Sequence, residues 1–151
     1  MAIRNIVKVG DPILNKVSRK VEKFDERLWT LLDDMKETMY QANGVGLAAV
    51  QVGVLRRVVV VDCGDGYLEL INPEIVKTEG EQFEEEGCLS FPGESGITAR
   101  PMKVRIQAQD RNGKWCVYSG EGLKARCFCH ETDHLDGVVF TSKVIKKEMC
   151  E

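Results

Sequence analysis

Hydrophobic and polar residues follow two different periods along the chain. Between Asp25 and Asn43, apolar side chains recur at steps of three and four residues, which predicts an amphipathic helix. Asp25 is the predicted N-cap of this helix, and Gly44 its predicted C-terminal stop. A second helix is predicted from about Glu121 to Asp136, and Gly137 ends it.

Strand patterns occupy much of the region between the two helices. Four consecutive valines in Arg57–Asp62 are typical of a buried strand, and Tyr67–Asn72 follows a Gly-Asp-Gly turn, so the two segments form a predicted hairpin. Lys103–Gln109 alternates apolar and polar residues and pairs with Lys114–Ser119, and Val138–Phe140 is a predicted short strand. Locally paired strands and separate helices favour an α+β fold with antiparallel sheets.

Length and composition narrow the class of protein. A chain of 151 residues with 43% hydrophobic and 30% charged residues is typical of one soluble domain, here spanning residues 1–151. The net charge of −3 and the absence of any Lys/Arg run longer than two argue against a nucleic-acid substrate. No signal peptide or membrane-spanning stretch is recognised, so we expect a cytoplasmic protein without membrane partners whose six cysteines stay reduced.

Both histidines of the chain lie in the second predicted helix. His130 and His134 belong to the pattern His-Glu-x-x-His, and residues i and i+4 lie on one helix face, about 6 Å apart along the axis. Two imidazoles in this arrangement can bind one metal ion, and Glu131 can accept the proton of a water held there. The alternative is a pair of solvated histidines on an exposed helix face.

A catalytic metal site of this kind needs a third protein ligand and one open position. No histidine remains, so an upstream cysteine or carboxylate is the expected third ligand. Cys127 shares the helix face of His130, but it lies about 10.5 Å from His134 along the helix axis, which is too far for one ion on a straight helix. We therefore expect Cys127 to line a pocket; the alternative is that its side chain only packs in the protein interior.

Two further segments become informative in combination with this helix. Gly44–Gln51 is rich in small residues and contains one amide, and Glu86–Ser90 places Cys88 directly after a glycine. Together with His130–His134, they resemble the three signature motifs of the peptide deformylases in order and spacing. The resemblance covers Val7–Phe140 and implies the fold of that family, an α+β domain whose antiparallel sheets pack around a central metal-binding helix.

The resemblance also implies a metal centre. Cys88, His130 and His134 would bind one divalent ion, with water as the fourth ligand. The family typically uses Fe(II), which is the ion expected in the cell, and often works with zinc, nickel or cobalt. A thiolate ligand is consistent with this, since coordination deprotonates a thiol.

The reaction implied by the resemblance is removal of the N-formyl group from the formyl-methionine of nascent polypeptides, with release of formate. Glu131 would activate the attacking water and later protonate the leaving amine. The Gln51 side-chain amide and the Leu89 backbone N–H would stabilise the oxyanion together with the metal, as preorganised donors do in acyl transfer.

Substrate binding is implied for a further set of residues. The formyl-methionyl peptide would add to the protein as a strand, through main-chain hydrogen bonds that read little sequence. The implied set comprises three glycines for close backbone approach (Gly44, Gly46, Gly87), three lining residues of a methionine pocket (Val45, Leu123, Cys127) and a supporting ion pair (Glu86, Arg100).

Some positions depart from the family pattern. Cys129 precedes His130 where many relatives have Gln, Glu84 stands where some have an apolar pocket residue, and Arg126 matches only one subgroup. The side-chain preference beyond methionine therefore stays open. Because the chain ends soon after Phe140, we expect the long C-terminal helix linked to ribosome contact in some relatives to be absent or very short. Ribosome docking is therefore not carried over from those relatives, and only a transient ribosome contact is predicted.

Two other functions share part of this pattern. A short metallopeptidase also uses His-Glu-x-x-His, but it would lack a downstream third ligand here. A structural metal site is usually closed by four protein ligands, which would leave Glu131 without a role. Release of formate, rather than of an amino acid, from formyl-Met-Ala distinguishes a deformylase from a peptidase.

Overall fold

The computed structural model describes residues 2–147, which form two α-helices and eight β-strands. The helices are α1 (Glu26–Gln41) and α2 (Leu123–Leu135). The strands are β1 (Gly46–Ala48), β2 (Val58–Asp62), β3 (Tyr67–Glu79), β4 (Gln82–Cys88), β5 (Phe91–Arg100), β6 (Lys103–Gln109), β7 (Trp115–Glu121) and β8 (Val144–Lys147). Short 3₁₀ helices occupy Pro12–Asn15, Ala49–Val52 and Phe140–Lys143.

The strands form two antiparallel sheets. A five-stranded sheet has the order β1-β2-β3-β6-β7, and a three-stranded sheet has the order β4-β5-β8. β1 and β4 are therefore edge strands, each with one side open to a further strand. This arrangement confirms the predicted α+β class.

Between residues 2 and 147, no helix has the length and apolar character needed to cross a membrane.

The five-stranded sheet is covered by a helix on each face. Val59 and Val61 of β2 belong to a core cluster with Phe128 of α2, whereas Val58 and Val60 belong to a second cluster with the apolar face of α1. Successive side chains of a strand point to opposite faces, so four buried valines in a row require cover on both sides. The uninterrupted valine run therefore determines where the two helices pack.

Helix α1 agrees with its prediction except at its C-terminal end. The Asp25 side chain accepts a hydrogen bond from the Leu28 N–H at 3.3 Å, as expected of an N-cap. The helix was predicted to reach Asn43 and to stop at Gly44, but it ends at Gln41, and Asn43, with φ 58°, takes a left-handed conformation. Asn tolerates this conformation because its short side chain can hydrogen-bond locally.

The hairpin of β2 and β3 is confirmed, but β3 is longer than predicted. It continues through Asn72 and Pro73 to Glu79. Asn72 has φ 53°, and the register with β6 shifts between Ile71 and Glu74. The proline therefore marks a bulge within the strand, where its missing N–H is tolerated, and does not mark the end of the strand.

The predicted strand Val138–Phe140 is wrong. Gly137, with φ 77°, turns the chain at the end of α2, and Phe140 begins a 3₁₀ helix. Val139 packs against the core cluster around α2, and the buried ring of Phe140 lies next to the rings of Phe91 and His130. Burial without a neighbouring strand thus accounts for the pattern.

Candidate active site

Helix α2 and the end of β4 bring three donor atoms together. His130 and His134 lie on one face of α2, and their Nε2 atoms are 3.2 Å apart. Cys88 is the last residue of β4, and its Sγ lies 3.3 Å from the His134 Nε2. All three donor atoms lie within 4.8 Å of one another. One ion can therefore be reached from all three side chains without a change of fold.

The donor set fits a divalent transition metal. One thiolate and two imidazoles are ligands that suit zinc and iron, and three protein ligands leave one position open. Burial lowers the pKa of His134 to about 3, so its imidazole is neutral near pH 7, which is the form that binds metals. Its Nδ1 is buried and has no hydrogen-bond partner in the part of the chain that the structure describes.

Glu131 lies beside these donors with a free carboxylate oxygen. The side chain is buried, and its Oε1 has no hydrogen-bond partner among residues 2–147. Burial raises the pKa of Glu131 to about 7. A carboxylate tuned in this way can both take up and return a proton near neutral pH.

Glu86 connects His130 to a buried ionic network. Its carboxylate accepts hydrogen bonds from Arg100 Nη2 at 2.7 Å, from Thr98 Oγ1 at 2.8 Å and from Arg126 Nη1 at 3.1 Å. It also contacts His130 Nδ1 at 2.5 Å. Burial acts to raise the pKa of Glu86, but the hydrogen bonds from His130 and Arg100 outweigh it and lower the pKa well below its usual range. The charged carboxylate fixes the imidazole ring, as carboxylates do around metal-binding histidines.

The Gln51 side chain lies next to Cys88 on the wall of the same cleft. Its Oε1 accepts the Ala48 N–H at 2.9 Å, which orients the amide group. Its Nε2 then donates to Ser90 Oγ at 3.0 Å and lies 3.5 Å from the Cys88 Sγ. The amide N–H group thus points toward the donor cluster, and Leu89 follows Cys88 directly in the chain.

These groups open into a cleft of about 400 Å³. The structure places every predicted site residue on its wall except His134, which is completely buried, and Arg100, which lies behind Glu86. Predicted residues on the wall are Gly44, Val45, Gly46, Gln51, Glu86, Gly87, Cys88, Leu89, Leu123, Cys127, His130 and Glu131. The apolar side chains of Val45 and Leu123 are exposed there, which offers a surface to an apolar ligand group.

Comparison with known proteins identifies the family. The sequence profile described as polypeptide deformylase matches residues 3–149. The chain belongs to the polypeptide deformylase family. The match extends over all three segments that form the cleft, which excludes a resemblance limited to one motif.

Individual relatives agree with this assignment. The peptide deformylase of Acetivibrio thermocellus is 61% identical over 146 residues, which are 97% of this chain and 86% of that protein. A crystal structure of the peptide deformylase from Thermotoga maritima superposes with a TM-score of 0.93 at 41% identity, covering 95% of this chain and 99% of that one. The enzyme from Legionella pneumophila gives a TM-score of 0.92 at 46% identity, covering 95% and 86%.

Deformylases are metal-dependent hydrolases that remove the N-formyl group from nascent polypeptides, and this activity follows from the family assignment. The comparisons give no support to the metallopeptidase alternative. The deformylase fold, with antiparallel sheets around the helix that carries both histidines, is confirmed by the structural neighbours.

Arg126 is part of this deformylase site, although the sequence interpretation gave it no role. Its guanidinium donates to Glu86, Thr98 and the Glu84 carbonyl oxygen, and also to Gln82 Oε1 at 2.8 Å. It lies four residues before His130 and therefore on the same helix face. The spacing of Arg126 and His130 could have predicted that the arginine forms an ion pair with a carboxylate near the histidines, such as a glutamate of Gln82–Cys88.

Proposed function

We propose that this cleft hydrolyses the formamide bond of formyl-methionyl peptides, with Glu131 moving the proton and Cys88, His130 and His134 holding one divalent metal ion. The observation that carries the proposal is the position of the buried Glu131 beside three donor atoms that lie within 4.8 Å of one another. We propose that residues 1–151 form one catalytic domain, since the family profile spans nearly all of them.

The bound ion would supply Lewis-acid chemistry, because a divalent metal polarises a carbonyl group and lowers the pKa of water. The donor set does not select one metal. We propose Fe(II) as the ion in the cell, with zinc, nickel or cobalt as functional substitutes. Metal analysis of protein purified without oxygen tests this choice.

Glu131 would carry the proton through the reaction. Its Oε1 has no hydrogen-bond partner among the residues that the structure describes, so it is free to accept a proton from the attacking water as the oxygen bonds to the formyl carbon. The same carboxylic acid would then protonate the peptide nitrogen as the C–N bond breaks, which yields formate and a free amino terminus. His130 and His134 are both assigned to the metal, so no spare histidine is available as a base.

Oxyanion stabilisation would come from two donors next to Cys88. The Gln51 amide is already oriented by its bonds to Ala48 and Ser90, so it needs no reorganisation during the reaction. The Leu89 backbone N–H would be the second donor. Preorganised donors of this kind contribute about 2.7–4 kcal/mol each to transition-state stabilisation.

The two sheet edges explain how a peptide would be held. β1 and β4 are both edge strands, and residues of both line the cleft. An extended peptide can add to such an edge through main-chain hydrogen bonds, which accept many sequences. Val45, Leu123 and Cys127 would contact the methionine side chain. We propose formyl-methionyl nascent peptides in the cytoplasm as the substrate; contact with the ribosome stays an open prediction.

The decisive assay is formate release from formyl-Met-Ala, with metal content measured on the same sample. We expect Glu131→Gln to lower kcat/KM at least 100-fold while the metal stays bound, because general acid–base catalysis contributes about 10²–10⁴-fold. Cys88→Ser should release the metal. Full activity of E131Q would refute the proton-transfer role, and loss of the metal from Cys127→Ser with retention in C88S would refute the ligand assignment.

A further inference from the structure

Two cysteines outside the proposed metal site form a close thiol pair. Cys63 follows directly after β2, Cys127 lies in α2, and their sulfur atoms are 3.4 Å apart. Cys127 is buried and lies on the cleft wall, whereas Cys63 is half-buried and lies outside the cleft. Cys127 has been given only a contact with the methionine side chain, and Cys63 has no part in the proposed reaction. The contact between the two sulfur atoms therefore calls for a separate explanation.

The two sulfur atoms are in direct non-bonded contact. A disulfide requires an S–S separation of about 2.05 Å, so the two sulfur atoms would have to approach by about 1.4 Å. Both residues pack against the core cluster around α2, which holds the thiols facing each other. Pairs preorganised in this way form a disulfide more readily than separated cysteines.

The two thiols differ in reactivity. The Cys127 thiol can donate its hydrogen bond to a Cys63 thiolate, and this lowers the pKa of Cys63. The same contact raises the pKa of Cys127, with burial as the second cause. Cys63 is also the more accessible of the two, so it is the expected site of first attack on an oxidant.

We propose that Cys63 and Cys127 form a thiol-oxidation site beside the substrate cleft, which closes reversibly into a disulfide when the enzyme meets a small-molecule disulfide such as oxidised glutathione. The Cys63 thiolate attacks one glutathione sulfur, forms a mixed disulfide and expels the first glutathione as its thiolate. Cys127 then loses its proton to solvent, attacks the Cys63 Sγ and expels the second glutathione. Two protein thiols are oxidised, and one glutathione disulfide is reduced to two thiols.

The first step removes the largest of the causes that oppose ionisation of Cys127, while burial continues to raise its pKa. In the reduced pair, the Cys63 thiolate is the largest cause of the raised pKa of Cys127. Once Cys63 is bound to glutathione, its negative charge is gone, so Cys127 can ionise more easily and attack the neighbouring sulfur. A disulfide in a reducing compartment is expected to be transient and to respond to the redox state.

The test uses the zinc-loaded enzyme, so that Cys88 stays bound and the metal does not change its oxidation state. After equilibration with oxidised glutathione, tryptic digestion separates the peptide Val58–Lys77, which contains Cys63, from Cys127–Lys143. We expect these two peptides to be joined by a disulfide, and reduction with dithiothreitol to separate them. Fragmentation of the joined peptides must place the bond on Cys127, since Cys129 lies in the same peptide.

Two variants control the experiment. Cys63→Ser should reduce the loss of thiols in the Cys127 peptide at least tenfold, and Cys63→Ala serves if the serine variant does not fold. Cys116→Ser, which removes another half-buried thiol on β7, should behave as the unchanged enzyme. The proposal is overturned if the zinc-loaded enzyme yields no bond between residues 63 and 127, if a stable mixed disulfide accumulates at Cys63, or if C63S loses as many thiols as the unchanged enzyme.

Discussion

At the scale of single residues, the position of Glu131 depends on a glycine that carries no chemistry of its own. Gly46 is buried in β1, and a Cβ atom added there would lie 2.6 Å from the Glu131 Oε2 and 3.0 Å from its Cγ. The missing side chain therefore leaves the room in which the carboxylate lies. This explains why an edge strand next to the cleft contains glycine where a β-branched residue would favour the strand.

We predict that Gly46→Ala separates activity from stability. The atoms that must give way belong to the flexible end of a side chain, so the fold can be retained while the carboxylate is displaced. Displacement of a catalytic group by about 1 Å can lower a rate by as much as 100-fold, so we expect kcat to fall at least tenfold. Formate release measures this loss, and thermal unfolding and metal content should stay close to those of the unchanged enzyme. An unchanged kcat would show that the place of Glu131 does not depend on Gly46.

At the scale of elements, sequence patterns predict a helix or strand best where its own residues show a regular hydrophobic period. The valines of β2 and the apolar face of α1 follow from local periodicity, because each residue is buried by a neighbouring element. β4 and β5 were not predicted, since Gln82–Cys88 is rich in exposed glutamates and Phe91–Arg100 contains proline and glycine. These strands are stabilised by pairing with each other, and local propensity does not contain that information.

The same limit applies to the candidate site. The spacing of His130 and His134 identifies a possible metal helix from the sequence, because both lie on one element. Cys88 lies at the end of β4 in the three-stranded sheet, far from this helix in the sequence. Only the resemblance to a family therefore indicated Cys88 as a ligand. Arg126 was missed because its acceptors, on β4 and β5, come together only in the folded protein.

The end of α2 offers a prediction at this scale. Gly137 has φ 77°, and a Cβ atom there would lie 2.6 Å from the backbone oxygen of Asn15. Gly53 has a similar φ of 83°, but an added Cβ atom would meet nothing within 4 Å. Gly53→Ala should lower the free energy of unfolding by about 1–2 kcal/mol, the cost of a left-handed conformation.

Gly137→Ala should lower the free energy of unfolding by about 1–3 kcal/mol more than Gly53→Ala does, because the backbone oxygen of Asn15 cannot move aside as a flexible side chain can. Urea denaturation of both variants measures the difference. Equal losses in the two variants would mean that conformation alone, and not the contact between α2 and the amino-terminal segment, requires glycine at position 137.

At the scale of the whole molecule, the ligands of the proposed metal site come from elements that belong to different sheets or pack on different sheets. Cys88 ends a strand of the three-stranded sheet, whereas His130 and His134 belong to α2, which packs on the five-stranded sheet. An ion bound by all three residues would therefore join the two sheets through one centre. Binding to such a site stabilises only those states in which the three donors stay together.

Metal removal should therefore loosen one sheet more than the other. We expect a chelator to raise the amide hydrogen-exchange rates of β4 and β5 at least tenfold, while those of β2 and α1 change less than twofold, because local opening of the three-stranded sheet separates Cys88 from the histidines. Exchange followed by mass spectrometry resolves these elements. The C88S variant is the matched control, since its exchange should not respond to the chelator. A uniform increase over both sheets would instead indicate that the ion stabilises the fold as a whole and does not link its two halves.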